Sequence, residues 1–139
     1  MNNPGAFQIP FGGSALAVAE AGTYVSDWVS DLDGLKSLSL QASFKPGSGG
    51  TSVTVYFQTS LDQGQTPIDI WALQFTTTPG TLAVNLDTAA LNAAITPTDG
   101  TLTAGDIVNG ILGDRVRAKV VVVGEYMGST LLNLTGVAR

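Results

Sequence analysis

Alternation of apolar and polar residues is the dominant pattern of this chain, and its clearest instance spans residues 51–75. Two alternating runs, 53–58 and 71–75, flank a turn segment rich in Asp, Gln, Gly and Pro. A period of two with β-branched and aromatic residues is typical of half-buried strands. The turn segment is longer than a two-residue hairpin turn. The pattern therefore predicts two paired strands joined by a shaped loop.

Similar runs precede and follow this hairpin. They predict strands at 14–20, 23–29, 36–44, 81–86, 115–123 and 130–138. The alanines of 14–20 also fit a short helix, and Asp87 is a good N-cap for one or two helical turns over 87–94. Seven to nine strands with no dominant helix predict an all-β fold, an antiparallel β-sandwich of jelly-roll-like type.

The first 13 residues show no strand or helix period over their length and contain two prolines and three glycines. Phe7, Ile9 and Phe11 nevertheless alternate within them, and apolar anchors of this kind are unusual in a disordered tail. Two interpretations stay open, a disordered terminus and an arm that docks on a neighbouring surface. The predicted organisation is an extended N-terminal arm, 1–13, followed by a single β-sandwich domain, 14–139.

The composition limits the chemistry that this chain can perform. It has no Cys and no His, which removes the thiol nucleophile, the usual general base and the commonest transition-metal ligand. The 11 acidic residues are scattered, mostly in turns where Asp bonds the backbone. We therefore predict no enzyme, no cofactor and no metal.

Charge and hydropathy limit the partners. A net charge of −5 argues against nucleic acid, because phosphate binding needs a basic patch. No apolar run is long enough to cross a membrane. The N-terminus lacks the basic region and apolar core of a signal peptide, which predicts a protein kept in the cytoplasm or released without that signal.

Two acidic motifs and three aromatic residues suggest sites, and each has a plain structural alternative. Residues 31–34, with Asp27 nearby, resemble a calcium loop, but they lack its twelve-residue spacing and fit a turn. Residues 60–66 resemble the sialidase Asp-box, S-x-D-x-G-x-T-W, without its tryptophan, and are interpreted as a hairpin-turn device. The aromatic residues that fit either the core or a sugar-stacking surface are Tyr24, Trp28 and Tyr56.

A cationic stripe, defined as Arg115, Arg117 and Lys119, is predicted on one face of the 115–123 strand. It carries three of the six cations of the chain. The stripe fits an acidic partner, or a solvated face balanced by neighbouring acids such as Asp114 and Glu125. Together with the three apolar residues of the arm, the stripe is the predicted partner-binding set. The irregular segment 76–113 is a further predicted contact region.

Three stretches of the sequence resemble small structural proteins of tailed phages and prophages. They read G-L-K-S-L-S-L-Q-A-S-F, G-S-G-G-T-S-V-T-V-Y-F-Q-T-S-L-D-Q-G and I-L-G-D-R-V-R-A-K-V-V-V-V-G-E-Y. The resemblance covers about residues 20–139 and rests on the general residue pattern and on these short stretches, not on a catalytic motif. It implies a non-enzymatic virion protein, made in the bacterial host cytoplasm, that decorates the capsid exterior. The implied partners are the major capsid protein and copies of the chain itself, as a homotrimer.

The physical character of the chain agrees with this resemblance. Only 12% of its residues are charged, and surfaces with few charges pack against a partner without costly ion desolvation. Two alternatives stay open: a head–tail or tail component of a virion, and a carbohydrate-binding module that recognises a receptor.

Overall fold

The computed structural model describes residues 5–11, 15–88 and 93–139. All regular structure in these residues is β-strand. The eleven strands are β1 (Gly5–Gln8), β2 (Leu16–Ala17), β3 (Gly22–Val25), β4 (Ser37–Lys45), β5 (Ser48–Gly49), β6 (Ser52–Ser60), β7 (Pro67–Phe75), β8 (Gly80–Asp87), β9 (Val116–Val123), β10 (Tyr126–Met127) and β11 (Leu131–Ala138).

Most of these strands form two antiparallel sheets that pack face to face. The terminal sheet has the strand order β1-β11-β4-β8, and β2 also pairs with β11. The hairpin sheet has the order β3-β9-β6-β7, and β5 pairs with β10 in a separate short ribbon. The predicted all-β antiparallel sandwich is confirmed, whereas its jelly-roll-like connectivity stays a prediction.

The core lies between the two sheets, and strand alternation decides which side chains reach it. In β4 the even-numbered residues from Leu38 to Phe44 are buried, as predicted, while the intervening residues face out of the sheet. In β9, on the opposite sheet, the even-numbered residues from Val116 to Val122 form an equivalent buried row. Phe44 stacks on Phe75 across the core with ring centroids 5.2 Å apart.

The predicted hairpin of residues 51–75 is formed by β6 and β7. A register shift between Phe57 and Gln58 adds an extra residue to the β7 side of this pair. The loop 98–108 runs along the outer edge of β7 and bonds to its backbone. For example, the Asp69 N–H donates to the Thr98 carbonyl oxygen at 2.9 Å, and the Gly105 N–H donates to the Ala72 carbonyl oxygen at 2.7 Å. This edge of the sheet is therefore covered.

Residues 5–11 fold back on their own chain instead of forming a free arm. Strand β1 pairs with β11, and the Ile9 N–H donates to the Leu134 carbonyl oxygen at 2.9 Å. Gly136 stands opposite Phe7, where a Cβ would lie only 2.6 Å from the ring, so the missing side chain makes room for it. The expected boundary between residues 13 and 14 lies outside the described residues.

Several shorter predictions are resolved by the described strands. Of the strand predicted over 14–20, only Leu16–Ala17 forms one (β2), and residue 14 lies outside the described residues. Of the strand predicted over 23–29, β3 covers the first part and ends at Val25, and Val29 makes a single bridge to Val116. Asp87 is the last residue of β8, and the helical turn predicted to follow it includes residues 89–92, which lie outside the described residues.

Candidate partner-binding surfaces

The three apolar residues of the predicted arm differ in how far they remain available to a partner. Ile9 is 0% exposed and belongs to the core of its own chain. Phe7 and Phe11 are half-buried and pack against the same core. Ile9 is therefore corrected from an anchor on a neighbouring surface to a core residue of its own chain, because pairing of residues 5–9 with β11 places its side chain between the sheets.

Two cations of the stripe make ion pairs within the chain. The Arg115 Nε donates to the Asp114 Oδ1 at 3.0 Å, and this hydrogen bond lowers the pKa of Asp114. The Lys119 Nζ lies 3.2 Å from the Asp99 Oδ1. Of the two acids expected to balance the stripe, Asp114 forms an ion pair and Glu125 forms none within the described residues. Lys119 pairs instead with Asp99, which the loop 98–108 places beside it. Use of the stripe by a partner stays a prediction.

Arg117 has a different role from its two neighbours in the stripe. Its guanidinium carbon lies 4.6 Å from the centroid of the Trp28 ring, a cation–π distance. Its Nε donates to the Gln58 Oε1 at 2.9 Å. These two contacts hold the Arg117 side chain against the sheet surface, where its guanidinium group stacks on the Trp28 ring.

A buried hydrogen-bond network centred on Asp69 lies beneath Arg117. Asp69 is 1% exposed, and its carboxylate accepts a hydrogen bond from the Gln58 Nε2 at 2.8 Å. The Thr98 hydroxyl donates to it at 2.8 Å, and the backbone N–H groups of 100–102 donate to it at 2.8 to 3.2 Å. Because charge-assisted bonds are the strong ones, this carboxylate fixes the loop 98–108 on the sheet.

Asp99 joins the network to the solvent-facing side of the sheet. It accepts a hydrogen bond at 2.7 Å from the Nε2 of Gln58, which is itself 0% exposed. Partial burial raises the pKa of Asp99, but hydrogen bonds from Gln58 and Lys119 and the charges of Lys119 and Arg117 outweigh it and lower the pKa. The cluster is thus internally balanced in charge and supports the loop.

The Asp-box-like residues form the turn between β6 and β7. The Ser60 hydroxyl donates to the Asp62 Oδ1 at 2.8 Å and accepts from the Gly64 N–H at 2.9 Å. Hydrogen bonds from the hydroxyl and the N–H of Thr66, and from Ser60, lower the pKa of Asp62 to about 2. These contacts are those of the hairpin-turn interpretation, since each fixes the backbone of the loop.

The other candidate sites do not assemble into a common site. Residues 31–34 lie in a turn in which the Leu35 N–H donates to the Leu32 carbonyl oxygen at 3.2 Å. No group of three potential metal-ligating residues occurs within 5–11, 15–88 and 93–139. Tyr24 packs against the core, whereas Tyr56 lies on the opposite face of the hairpin sheet. The expected aromatic residues therefore do not form one sugar-stacking platform.

A second surface, the outer face of the terminal sheet, was not predicted from the sequence. We define this outer face by the outward-pointing residues of β1, β11, β4 and β8. These are Ala6, Gln8, Ser37, Ser39, Gln41, Ser43, Lys45, Thr81, Ala83, Asn85, Asp87, Leu131, Asn133, Thr135 and Val137. Charged outward side chains stand only at its two ends, Lys45 and Asp87, among the described residues of these strands.

The outer face is concave and already hydrogen-bonded along its rows. Two adjoining depressions of about 760 and 870 Å³ lie on it, and Gln8 lines both of them. The Gln8 Nε2 donates to the Asn133 Oδ1 at 2.7 Å, and the Ser39 hydroxyl donates to the Asn85 Oδ1 at 3.1 Å. These cross-strand bonds orient the polar side chains and give the face a defined shape.

Sequence reasoning missed Asp69 and Gln58 as well as the outer face. One signal for Asp69 was present, because an acid within P-I-D-I-W-A-L interrupts an otherwise apolar strand, and such an acid requires buried partners. The partners of Asp69 come from residues 98–102, which no local pattern places beside β7.

No family model, curated protein or solved structure matches this chain. Within the described residues, no helix is long and apolar enough to cross a bilayer.

Proposed function

We propose that this chain is a non-enzymatic structural protein of a phage particle, which decorates and stabilises the outside of the capsid through protein–protein contacts. The phage assignment rests on the sequence resemblance alone. The contact surface in this proposal is the outer face of the terminal sheet, and the partners are the major capsid protein and further copies of the chain.

The contrast between the two sheet surfaces supports this proposal. Loop 98–108 covers part of the outward side of the hairpin sheet, and two of the three cations there, Arg115 and Lys119, are paired with acids of the same chain. The outer face of the terminal sheet is uncovered and uncharged between Lys45 and Asp87 over the described residues. Burying such a surface against a protein removes no ion from water, so it avoids the main cost of polar association.

Co-sedimentation with particles tests the proposal. A tagged copy of the chain is expressed in its source strain, phage production is induced, and the lysate is separated on a density gradient. We expect the chain in the virion fraction, in many copies per particle by quantitative mass spectrometry. A chain that stays at the top of the gradient in lysates containing intact virions would contradict the proposal.

A pair of charge variants tests which surface makes the contact. Gln41→Glu places a carboxylate in the middle of the outer face, and we expect it to reduce the number of copies on the particle at least tenfold. Gln65→Glu is the matched control, because Gln65 is exposed in the β6–β7 loop away from this face. Equal occupancy of both variants would leave particle binding intact but exclude the outer face as its surface.

A carbohydrate-binding module is the second candidate, and one observation favours it. The concave outer face presents the amides of Gln8, Gln41 and Asn85, which suit the hydroxyl groups of a neutral sugar. A glycan array probed with the purified chain distinguishes the candidates. Specific binding that Gln41→Ala abolishes, and that Trp28→Ala or Tyr56→Ala leaves unchanged, would favour this module and place the sugar on the outer face.

A further inference from the structure

The sheet edges of this molecule are not equally protected. Strands β1 and β3 are edges of only four residues each, and the edge of β7 is covered by loop 98–108. Strand β8 is an edge of eight residues, from Gly80 to Asp87. Natural proteins keep edge strands short, covered or charged, because a free edge is a template for pairing with another chain.

The direction of the backbone groups shows which residues β8 offers at its free edge. The Thr88 N–H donates toward β4, to the Lys36 carbonyl oxygen at 3.1 Å. The preceding Asp87 N–H points the other way and donates to the Asn109 Oδ1 at 2.9 Å. Because successive backbone groups alternate sides along a strand, Thr81, Ala83 and Asn85 direct their N–H and C=O groups away from β4.

The composition of β8 contains none of the usual devices against edge pairing. Its residues 80–86 read G-T-L-A-V-N-L, with no charge and no proline. Its register with β4 runs without a shift from Ser37↔Asp87 to Phe44↔Gly80, so no bulge twists the edge away. Leu82 is 43% exposed although its side chain points to the core side of the sheet. The strand is regular, uncharged and partly apolar.

We propose that β8 pairs antiparallel with β8 of a second copy of this chain, around a two-fold axis at Ala83. In this register Thr81 of one copy stands opposite Asn85 of the other, and Leu82 stands opposite Val84. The outward backbone groups of Thr81, Ala83 and Asn85 then bond one another across the axis. The two terminal sheets become one continuous sheet, and their outer faces join.

A second copy is the occupant that the chemistry of this edge favours. An isologous contact requires a self-complementary patch, and residues 80–86 bring no like charges together when the strand meets itself. The pairing also covers the apolar Leu82 with Val84 of the partner. The inference does not rest on the proposed function, because it is argued from the edge of β8 alone and not from binding to a particle.

A single engineered cysteine tests the pairing, since the chain has no cysteine of its own. Hydrogen-bonded antiparallel pairs place their Cα atoms about 5.5 Å apart, within the range that a disulfide spans. We expect Ala83→Cys to form a covalent dimer of twice the 14.3 kDa chain mass under mild oxidation. Thr103→Cys, exposed in loop 98–108, is the control and should remain uncrosslinked at the same concentration.

A charge variant measures the same contact without a covalent bond. Ala83→Lys places two ammonium groups opposite each other at the axis, while its exposed side chain leaves the core untouched. Sedimentation over a concentration series should show a dimer for the unmodified chain and for Thr103→Lys. For Ala83→Lys we expect dimer dissociation to shift at least tenfold in concentration.

Three outcomes would overturn the inference. These are a chain that is monomeric at every concentration, a dimer that Ala83→Lys leaves unchanged, and a trimer, which requires a heterologous contact instead of a two-fold one. Particle binding with a monomeric chain would retain the proposed function and reject the β8 pairing. A β8-paired dimer that never joins particles would do the reverse.

Discussion

At the scale of single residues, the position of one buried carboxylate explains how an irregular segment acquires a fixed structure. Asp69 receives hydrogen bonds from Gln58, from Thr98 and from the backbone of 100–102. A buried polar group is costly unless it is hydrogen-bonded, and here the loop supplies most of the donors to the Asp69 carboxylate. The loop and the carboxylate therefore depend on each other.

Removal of the Asp69 carboxylate should be strongly destabilising. Asp69→Ala leaves Gln58 and the N–H groups of 100–102 without their acceptor in a buried site, which we expect to cost about 3 kcal/mol of unfolding free energy. Urea unfolding followed by tryptophan fluorescence measures this cost. Asp106→Ala is the matched control, since Asp106 is an exposed acid of the same loop, and should change stability by less than about 0.5 kcal/mol.

Asp69→Ala should also be cleaved faster by proteases within loop 98–108, because the loop would no longer be held on the sheet. A variant as stable and as resistant as the unmodified chain would show that the donors find other acceptors.

The Asp62 turn should give the hairpin a defined pH dependence. Its folded pKa, about 2, lies below the ordinary value of 3.8, so the ionised form stabilises the fold. This contribution is complete above pH of about 4 and is lost as the pH falls through about 2. We expect Asp62→Asn to lower the melting temperature at neutral pH, and the difference from the unmodified chain to shrink between pH 4 and pH 2.

The comparison with Asp62→Asn isolates this turn, because the lowered pKa values of Asp99 and Asp114 act in the same direction in both proteins. A difference in melting temperature that is constant from pH 7 to pH 2 would mean that ionisation of Asp62 does not stabilise the turn.

At the scale of elements, β1 is the strand for which the structure differs most from the interpretation of the sequence. The alternation of Phe7, Ile9 and Phe11 was interpreted as belonging either to a disordered terminus or to an arm that docks on a neighbouring surface, whereas residues 5–8 form a strand of the chain's own sheet. Which surface buries them was not predictable, because the partner strand β11 begins more than a hundred residues later. Local patterns predict a strand and its apolar side, whereas the choice of neighbour depends on non-local packing.

Ile9→Ala should therefore destabilise the isolated chain. The side chain is fully buried, and truncation of a buried Ile to Ala costs about 2–5 kcal/mol through lost burial and the cavity left behind. Phe11→Ala is the control from the same segment and should cost less, since Phe11 is only half-buried. Denaturant unfolding of both variants measures the difference. Equal stability of Ile9→Ala and the unmodified chain would mean that residues 5–9 do not pack on β11 in solution.

At the scale of the whole molecule, the two sheets divide the surface into a covered side and an open side. Alternation in 36–44 and 115–123 was sufficient to predict strands and their buried faces. The reason is that successive side chains of a strand point to opposite faces of the sheet, and in a sandwich one of these faces is buried. The candidate surfaces were harder to predict. Loop 98–108 carries no apolar period, so nothing local indicated that it lies on β7 and leaves β8 open.

The placement of β11 has a consequence for how the molecule is made. In chain order β11 is the last strand, yet it lies in the middle of the terminal sheet, between β1 and β4. A ribosome delivers it after the other ten described strands, and β1 has no pairing partner in the sheet until then. Pairings of such sequence separation form slowly, and an incomplete sheet exposes its edges meanwhile. The sandwich should therefore close only after residue 138 has left the ribosome, and a translational stall before residue 131 would leave the terminal sheet with unpaired strand edges.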